Sequence, residues 1–319
     1  MRSHILVLVS LVLLGASAAG SAVELLTTPP GRMVAVGDRH LHLNCSGHGE
    51  PTVVFESGLG GLGFEWADVQ KLVGRTTRAC SYDRAGYGFS EPGPMPRTAG
   101  AIADDLYVLL HGAGIDGPVV LVAHSFGGYP AQLYARAHPD GVAALILVDA
   151  SNPAQLATYP VNGGAACEFV DRGVADLRFS ITPHLPEGYP QEYGLTALAL
   201  MMQPNAVRTQ VSELCNFERS AKQIEAALPF PKIPLVVLSR SRAEFPQDAS
   251  GRKLENAWRH YQDDLAHLTP GAWHVQANGA GHHVHLDRPD VVRDLAVVSV
   301  LLARQASEDA RTRGVAAAP

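Results

Sequence analysis

The sequence predicts an α/β fold: a mostly parallel sheet flanked by helices on both faces, interrupted late in the chain by a helical insertion. Two observations carry this expectation. Short, continuously apolar strands such as Pro118 to Ala123 and Ala143 to Val148 alternate with segments of helical periodicity, as strands buried on both faces of a parallel sheet do. After Asp149 the alternation stops, proline, glycine and short helical stretches take over, and strand character returns only at Ile233. A chain of 319 residues with 46% hydrophobic content is long enough to bury a large core.

The elements follow in order. Met33 to Leu43 reads as two extended pieces around Gly37-Asp38, a hairpin signal. Thr52 to Glu56 is a short strand that runs into the glycine-rich loop Ser57 to Gly61. A helix begins near Glu65 and carries Trp66, Val69 and Leu72; Arg78 to Tyr82 is the next strand, ending in Asp83-Arg84-Ala85-Gly86-Tyr87-Gly88. Thr98 reads as the N-cap of a helix reaching about Ala113, with Ile102, Leu106, Leu109 and Leu110 on its apolar face. The strand from Pro118 leads through His124-Ser125-Phe126-Gly127-Gly128 into a helix that ends near His138-Pro139. Leu195 to Met202 and Ala206 to Ala227 read as helices of the insertion. A strand at Ile233 to Leu238, a helix near Leu254 to Leu268, a strand at Trp273 to Ala277 and a helix over Pro289 to Ala303 complete the chain. The domain organisation expected is therefore a core of residues 23–151 and 231–305, an insertion at 152–230 with the look of a lid, and a flexible small-residue tail at 306–319.

Residues 1–22 have the pattern of a secretory signal peptide: Arg2 and His4, an apolar run from Ile5 to Leu14, then small residues, with cleavage after Ala18 or Ala22. The run is too short to span a bilayer comfortably. A secreted or extracytoplasmic protein without stable membrane insertion is expected. The four cysteines, Cys45, Cys80, Cys167 and Cys215, then suggest disulfides; of three pairings, chain position favours Cys45–Cys80 and Cys167–Cys215, with buried free thiols as the alternative. With 18% charged residues, a net charge of −6 and no Lys/Arg run, nothing suggests a nucleic-acid partner.

The chemistry concentrates in three places. Ser125 lies between an apolar strand and a helix, the placement that lifts a nucleophilic hydroxyl clear of a sheet edge and sets a helix N-terminus behind it. Small residues two positions before and after, Ala123 and Gly127, allow strand and helix backbones to pass closely. The loop Ser57 to Gly61 can aim backbone N–H groups at a developing oxyanion, with Leu59 and Phe126 as the expected donors. The stretch Gly279-Ala280-Gly281-His282-His283-Val284-His285 follows the last strand, and His282 is the best-placed general base, with His283 and His285 as rivals. The pairs His40-x-His42 and His283-x-His285 resemble metal ligands, but no H-E-x-x-H motif or zinc-type cysteine spacing accompanies them. No metal and no cofactor is expected.

Together, Ser57-Gly58-Leu59-Gly60, Asp83-Arg84-Ala85-Gly86-Tyr87-Gly88-Phe89-Ser90, Ala123-His124-Ser125-Phe126-Gly127-Gly128 and Gly281-His282 with Leu286-Asp287-x-Pro289 resemble the α/β-hydrolase superfamily in its own order, with alanine in place of the first glycine of G-x-S-x-G. The insertion carries no matching marks. The resemblance implies an eight-stranded sheet with the active site at the strand carboxyl ends. It leaves the triad acid open. Asp149 matches relatives that carry the acid after the strand beside the nucleophile strand; Glu244 lies one residue late for those that carry it after the following strand, and Asp248 is a more distant choice. Asp83 and Arg84 read as structural, holding the loop below the nucleophile. The expected function is hydrolysis of a carboxylic ester or thioester, with a hydrophobic small-molecule substrate. Rivals are amide or C–C bond hydrolysis, perhydrolysis or natural-product cyclisation and thioester release on the same triad, or a non-catalytic binding protein. Serine at position 125 argues against the relatives with an aspartate nucleophile, the haloalkane dehalogenases and epoxide hydrolases.

Overall fold

A computed structural model describes residues 28–158, 161, 167 and 185–316. The strands are β1 (Arg32–Val36), β2 (Arg39–Ser46), β3 (Val53–Glu56), β4 (Ala79–Tyr82), β5 (Val119–His124), β6 (Val142–Val148), β7 (Leu235–Arg240) and β8 (Trp273–Ala277). They form one eight-stranded sheet in the order β1-β2-β4-β3-β5-β6-β7-β8. The β1–β2 hairpin and the β2–β4 pair are antiparallel, and every later pairing is parallel. Cys45 and Cys80 face each other in the β2–β4 register and are joined by a disulfide.

The helices are α1 (Ala67–Val73), α2 (Ala99–Gly112), α3 (Gly128–Ala137), α4 (Gly194–Met201), α5 (Pro204–Cys215), α6 (Phe217–Ala226), α7 (Ala249–Ala266), α8 (Val284–Asp287) and α9 (Pro289–Ala316). Side chains alternate across a strand, so the central strands of this sheet feed two cores. Val120, Val122, Ile146 and Val148 pack with Val69 and Val73 of α1 and Val292, Ala296 and Val300 of α9. Leu121, Ala123, Leu145 and Leu147 pack on the other face with Leu106, Leu109 and Leu110 of α2 and Ala131 and Ala135 of α3. Each such aliphatic side chain contributes about 1.5–3 kcal/mol by leaving water, and burial on both faces is why these strands read as unbroken apolar runs.

The segment between β6 and β7 holds α4, α5 and α6. Ala197, Leu200 and Ala206 gather with Leu62, Phe64, Tyr87 and Leu286 from the loops at the strand carboxyl ends. Phe217, Ala221 and Ile224 of α6 pack against Ile102, Phe126 and Tyr129. A second disulfide, Cys167–Cys215, ends α5.

Several boundaries differ from those the sequence predicts. The single helix expected over Ala206 to Ala227 is two, divided at Asn216, whose Nδ2 donates to the Ser212 carbonyl at 2.8 Å and competes with the helical ladder. β7 runs on through Ser239 and Arg240, and α7 starts at Ala249 under an Asp248 cap. The last helix continues past Ala303 to Ala316, through residues read from sequence as a flexible tail. Its Ala, Arg, Gln and Glu residues are strong helix formers, and Gln305 bonds Asp309 one turn on at 2.9 Å. The signal-peptide reading of residues 1–22 and much of the insertion, within 159–184, fall outside the described residues.

Candidate active site

β5 ends at His124, and Ser125 opens a short 3-10 turn, Ser125–Gly127, that leads into α3. Ser125 has a positive φ of 50°, a conformation sparsely used by residues other than glycine and a feature of constrained functional turns. The turn is tight: a Cβ at Gly127 would lie 2.4 Å from the Ser57 carbonyl oxygen, and one at Gly58 would lie 2.8 Å from His124 Nδ1. Ala123 is fully buried, and its methyl is accommodated in the core.

His282 follows β8 and turns its ring to Ser125. Its Nε2 stands 3.0 Å from Ser125 Oγ, and its Nδ1 2.7 Å from Asp149 Oδ2. Asp149 directly follows β6, also at positive φ (41°), and is fully buried. Oδ2 accepts a second bond from Arg240 Nη1 at 2.9 Å; Oδ1 accepts from Trp258 Nε1 at 2.8 Å and from the Arg240 amide at 3.2 Å. Burial alone would raise the pKa of this carboxyl. The His282 hydrogen bond and charge, then the charge of Arg240 and the Trp258 bond, outweigh burial and hold it below the usual carboxylate value. A carboxylate, an imidazole and a hydroxyl in this order can draw a proton from the hydroxyl and hold the resulting imidazolium.

The other acids named from sequence meet different groups. Glu244 Oε1 accepts from the main-chain amide of His282 at 3.1 Å, not from its ring. Asp248 caps α7 through the Gly251 amide at 2.8 Å. Leu59 packs against the cluster that contains Phe126, and a Cβ at neighbouring Gly58 would lie 3.2 Å from Ser125 Cβ, so the glycine loop abuts the Ser125 turn. Trp66 Nε1 donates to Ser57 Oγ at 3.0 Å, and Ser57 Oγ to the Leu62 carbonyl at 3.2 Å, fixing that loop. Asp83 accepts from the Gly63 and Phe89 amides and pairs with His42 Nδ1 at 2.9 Å.

Sequence reasoning missed the supports of this arrangement. Arg240 and Trp258 carry no motif. Of the sequence's two histidine pairs, His40 and His42 part, His42 buried against Asp83 and His40 exposed beside Glu91, while the His283 and His285 rings lie 6.0 Å apart. His285 instead stacks on Trp66 and gathers with Glu65 and His124, their ligand-type atoms within 4.8 Å of one another. Burial pushes the Glu65 carboxyl up to about 7, against hydrogen bonds from Ser57 and Gly58 and the charge of Arg84. Burial, with repulsion from neighbouring histidines, holds His124 and His285 well below the usual imidazole value. His124 Nε2 lies 3.0 Å from the His282 carbonyl, which ties the Ser125 turn to the histidine loop.

Residues 53–295 match the model of the "Alpha/beta hydrolase family". An AB hydrolase superfamily protein of Gibberella zeae is 23% identical over 279 residues, covering 76% of this chain and 84% of that protein. The first three curated relatives are matched over only 19%, 42% and 40% of their own lengths, so the chain spans less than half of each. Among solved structures, a thermophilic esterase from Thermogutta terrifontis superposes with a TM-score of 0.63 at 21% identity, covering 85% of this chain and 98% of that one. An epoxide hydrolase mutant of Vigna radiata superposes with a TM-score of 0.64 at 18% identity over 85% and 97%. With the family model matched from β3 into α9 and the same fold in both solved neighbours, the chain belongs to the alpha/beta hydrolase family.

Proposed function

We propose that this hydrolase cleaves a carboxylic ester or thioester through an acyl-enzyme on Ser125. The observation that carries the reading is His282 bridging Ser125 Oγ at 3.0 Å and Asp149 Oδ2 at 2.7 Å. Ser125 Oγ attacks the carbonyl carbon as His282 Nε2 takes its proton. Asp149 holds the imidazole in the tautomer with Nδ1–H and stabilises the imidazolium. The N–H groups of Leu59 and Phe126 bind the oxyanion of the tetrahedral intermediate. His282 gives its proton to the leaving group, then activates water, and the reverse sequence releases the acid and restores Ser125.

Serine at the turn favours an acyl-enzyme over chemistry that needs an aspartate nucleophile. We read α4–α6 as a lid that sets the substrate; Leu195 and Met202 of this segment are exposed, which suits a hydrophobic acyl or alcohol group, while Leu200 is buried in packing. Residues 1–22 we read as an export signal. Two disulfides are compatible with an extracytoplasmic site, and among the described residues no helix is long and apolar enough to cross a membrane. The test is hydrolysis of p-nitrophenyl esters from acetate to decanoate by the wild type and by Ser125→Ala, with styrene oxide and a p-nitroanilide as counter-substrates. Ester turnover lost in Ser125→Ala is expected. Turnover of the epoxide or anilide without ester turnover would move the assignment to another reaction, and ester turnover that survives the substitution would remove Ser125 from it.

A further inference from the structure

Arg84 is the most heavily engaged buried side chain beside the site, and the reaction steps above do not use it. Its guanidinium is almost wholly inside the protein. Nη1 donates to Glu56 Oε1 at 2.9 Å and to the Ser57 carbonyl at 2.6 Å. Nη2 donates to the Gly58 carbonyl at 2.7 Å and to Glu213 Oε2 at 3.0 Å, and Nε donates to Glu213 Oε1 at 2.9 Å. Glu213 is fully buried on α5 of the inserted segment, and its Oε2 also accepts from Tyr87 Oη at 2.9 Å. The planar guanidinium fork thus meets one carboxylate side-on through two nitrogens, the arrangement that fixes both position and rotation.

The carbonyl gripped by Nη2 belongs to the peptide unit whose other polar group is the Leu59 N–H. That peptide is trans; the described cis bonds are elsewhere, at Glu50-Pro51 and Met95-Pro96. In a planar trans peptide the C=O and the N–H point in opposite directions. Holding the Gly58 oxygen toward Arg84 therefore holds the Leu59 N–H away from it, and charge-assisted donation to the oxygen polarises the same amide into a better donor. The Gly58 oxygen also accepts from the Gly61 amide at 3.1 Å, so the turn and the arginine hold it together. We propose that Glu213 is a positioning residue for the oxyanion hole: supplied by the inserted segment, it orients Arg84, which sets the Gly58–Leu59 peptide plane. This rests on the reading of Leu59 as an oxyanion donor. It makes the insertion part of the machinery that binds the transition state as well as a cover over the site.

Glu56 remains as counter-ion to Arg84 when Glu213 is neutralised, so Glu213→Gln keeps a paired buried charge and loses the two-nitrogen grip. Tyr87→Phe is the milder variant, removing one donor from Glu213 while keeping the ring over which the Arg84 guanidinium lies at 5.2 Å. Both are made in the full chain with its disulfides, and kcat on p-nitrophenyl butyrate is expressed per active site titrated with a fluorophosphonate. A methyl trifluoromethyl ketone, which adds to serine as a tetrahedral oxyanion, supplies the readout that a merely structural role would not move. For Glu213→Gln the expected result is a fall in kcat of about 10- to 100-fold, part of the loss on deleting an oxyanion donor, with KM within about twofold and the inhibition constant of the ketone rising by the same factor as kcat/KM falls. Tyr87→Phe shows the same pattern at about 3- to 10-fold. An unchanged kcat per titrated site, or a loss carried by KM with ketone affinity unaltered, overturns the proposal while Ser125 chemistry stands. Should Glu213→Gln yield no folded protein, the Tyr87→Phe measurement decides by the same criteria. Ester turnover that survives Ser125→Ala overturns both readings together.

Discussion

Asp149 is held by more donors than a carboxylate in water could keep in fixed positions: the His282 ring, the Arg240 side chain and amide, and the Trp258 indole all converge on it. Asp149 was legible in the sequence as a candidate acid only through the resemblance to α/β-hydrolases, with Glu244 and Asp248 left open beside it. Arg240 and Trp258 were not, because nothing local distinguishes a strand-end arginine or a mid-helix tryptophan until the parallel sheet brings β6 and β7 together. Asp149→Asn is expected to lower kcat about 1,000-fold or more on p-nitrophenyl esters. Glu244→Gln, which loses the carboxylate charge beside Arg242 but keeps an oxygen that can accept from the His282 main-chain amide, is expected to lower it less than about tenfold. Two buried acids also give opposite stability signatures. The folded pKa of Asp149 is depressed, so its contribution is present above the unfolded carboxylate pKa and fades as pH falls through the folded one. That of Glu65 is raised from 4.5 to about 7, so its contribution is present below the unfolded value and lost as pH rises to about 7. Glu65→Gln should therefore gain on the wild type in thermal melts between pH 5 and pH 8.5, by up to about 3 kcal/mol. A constant difference between the two proteins across that range would contradict a neutral buried Glu65.

At the scale of elements, the Ser125 turn, the glycine loop and the histidine loop were each readable because a short motif fixes each backbone path. Boundaries inside the insertion were less so. Asn216 divides α5 from α6 through side-chain bonding that competes with the helix, while the apolar periodicity runs on across the break. Glu213 looks in the sequence like an ordinary polar helix residue, and only the docking of α5 shows that it is buried against Arg84. Phe217 of α6, 4% exposed, lies 5.4 Å ring to ring from both Phe126 and Tyr129. Phe217→Ala should destabilise the fold by about 3–5 kcal/mol in urea unfolding, as expected for truncating a buried aromatic ring. A cost below about 1 kcal/mol would mean that α6 is held chiefly by other contacts.

At the scale of the molecule, the sheet was legible because two-sided burial writes continuous apolar strands, and the antiparallel start because Gly37-Asp38 marks a hairpin. The disulfide across β2 and β4 closes a sequence separation of 35 residues within that mixed region. Replacing Cys45 and Cys80 together by serine should cost about 2–4 kcal/mol in urea unfolding while leaving ester turnover per folded molecule unchanged. The insertion's sequence is not set by any one packing rule, which is why neither its helix breaks nor its substrate could be read ahead of the structure. The central claim is that Ser125 is the nucleophile of a serine hydrolase, and its most direct measurement is covalent capture. The full chain is treated with diethyl p-nitrophenyl phosphate, p-nitrophenolate release is followed, and the digested protein is analysed by mass spectrometry. The account predicts one diethylphosphoryl group per molecule, on Ser125, with release abolished in Ser125→Ala and strongly slowed in His282→Ala. A folded, ester-hydrolysing protein labelled at another residue, or not labelled at all, would contradict it.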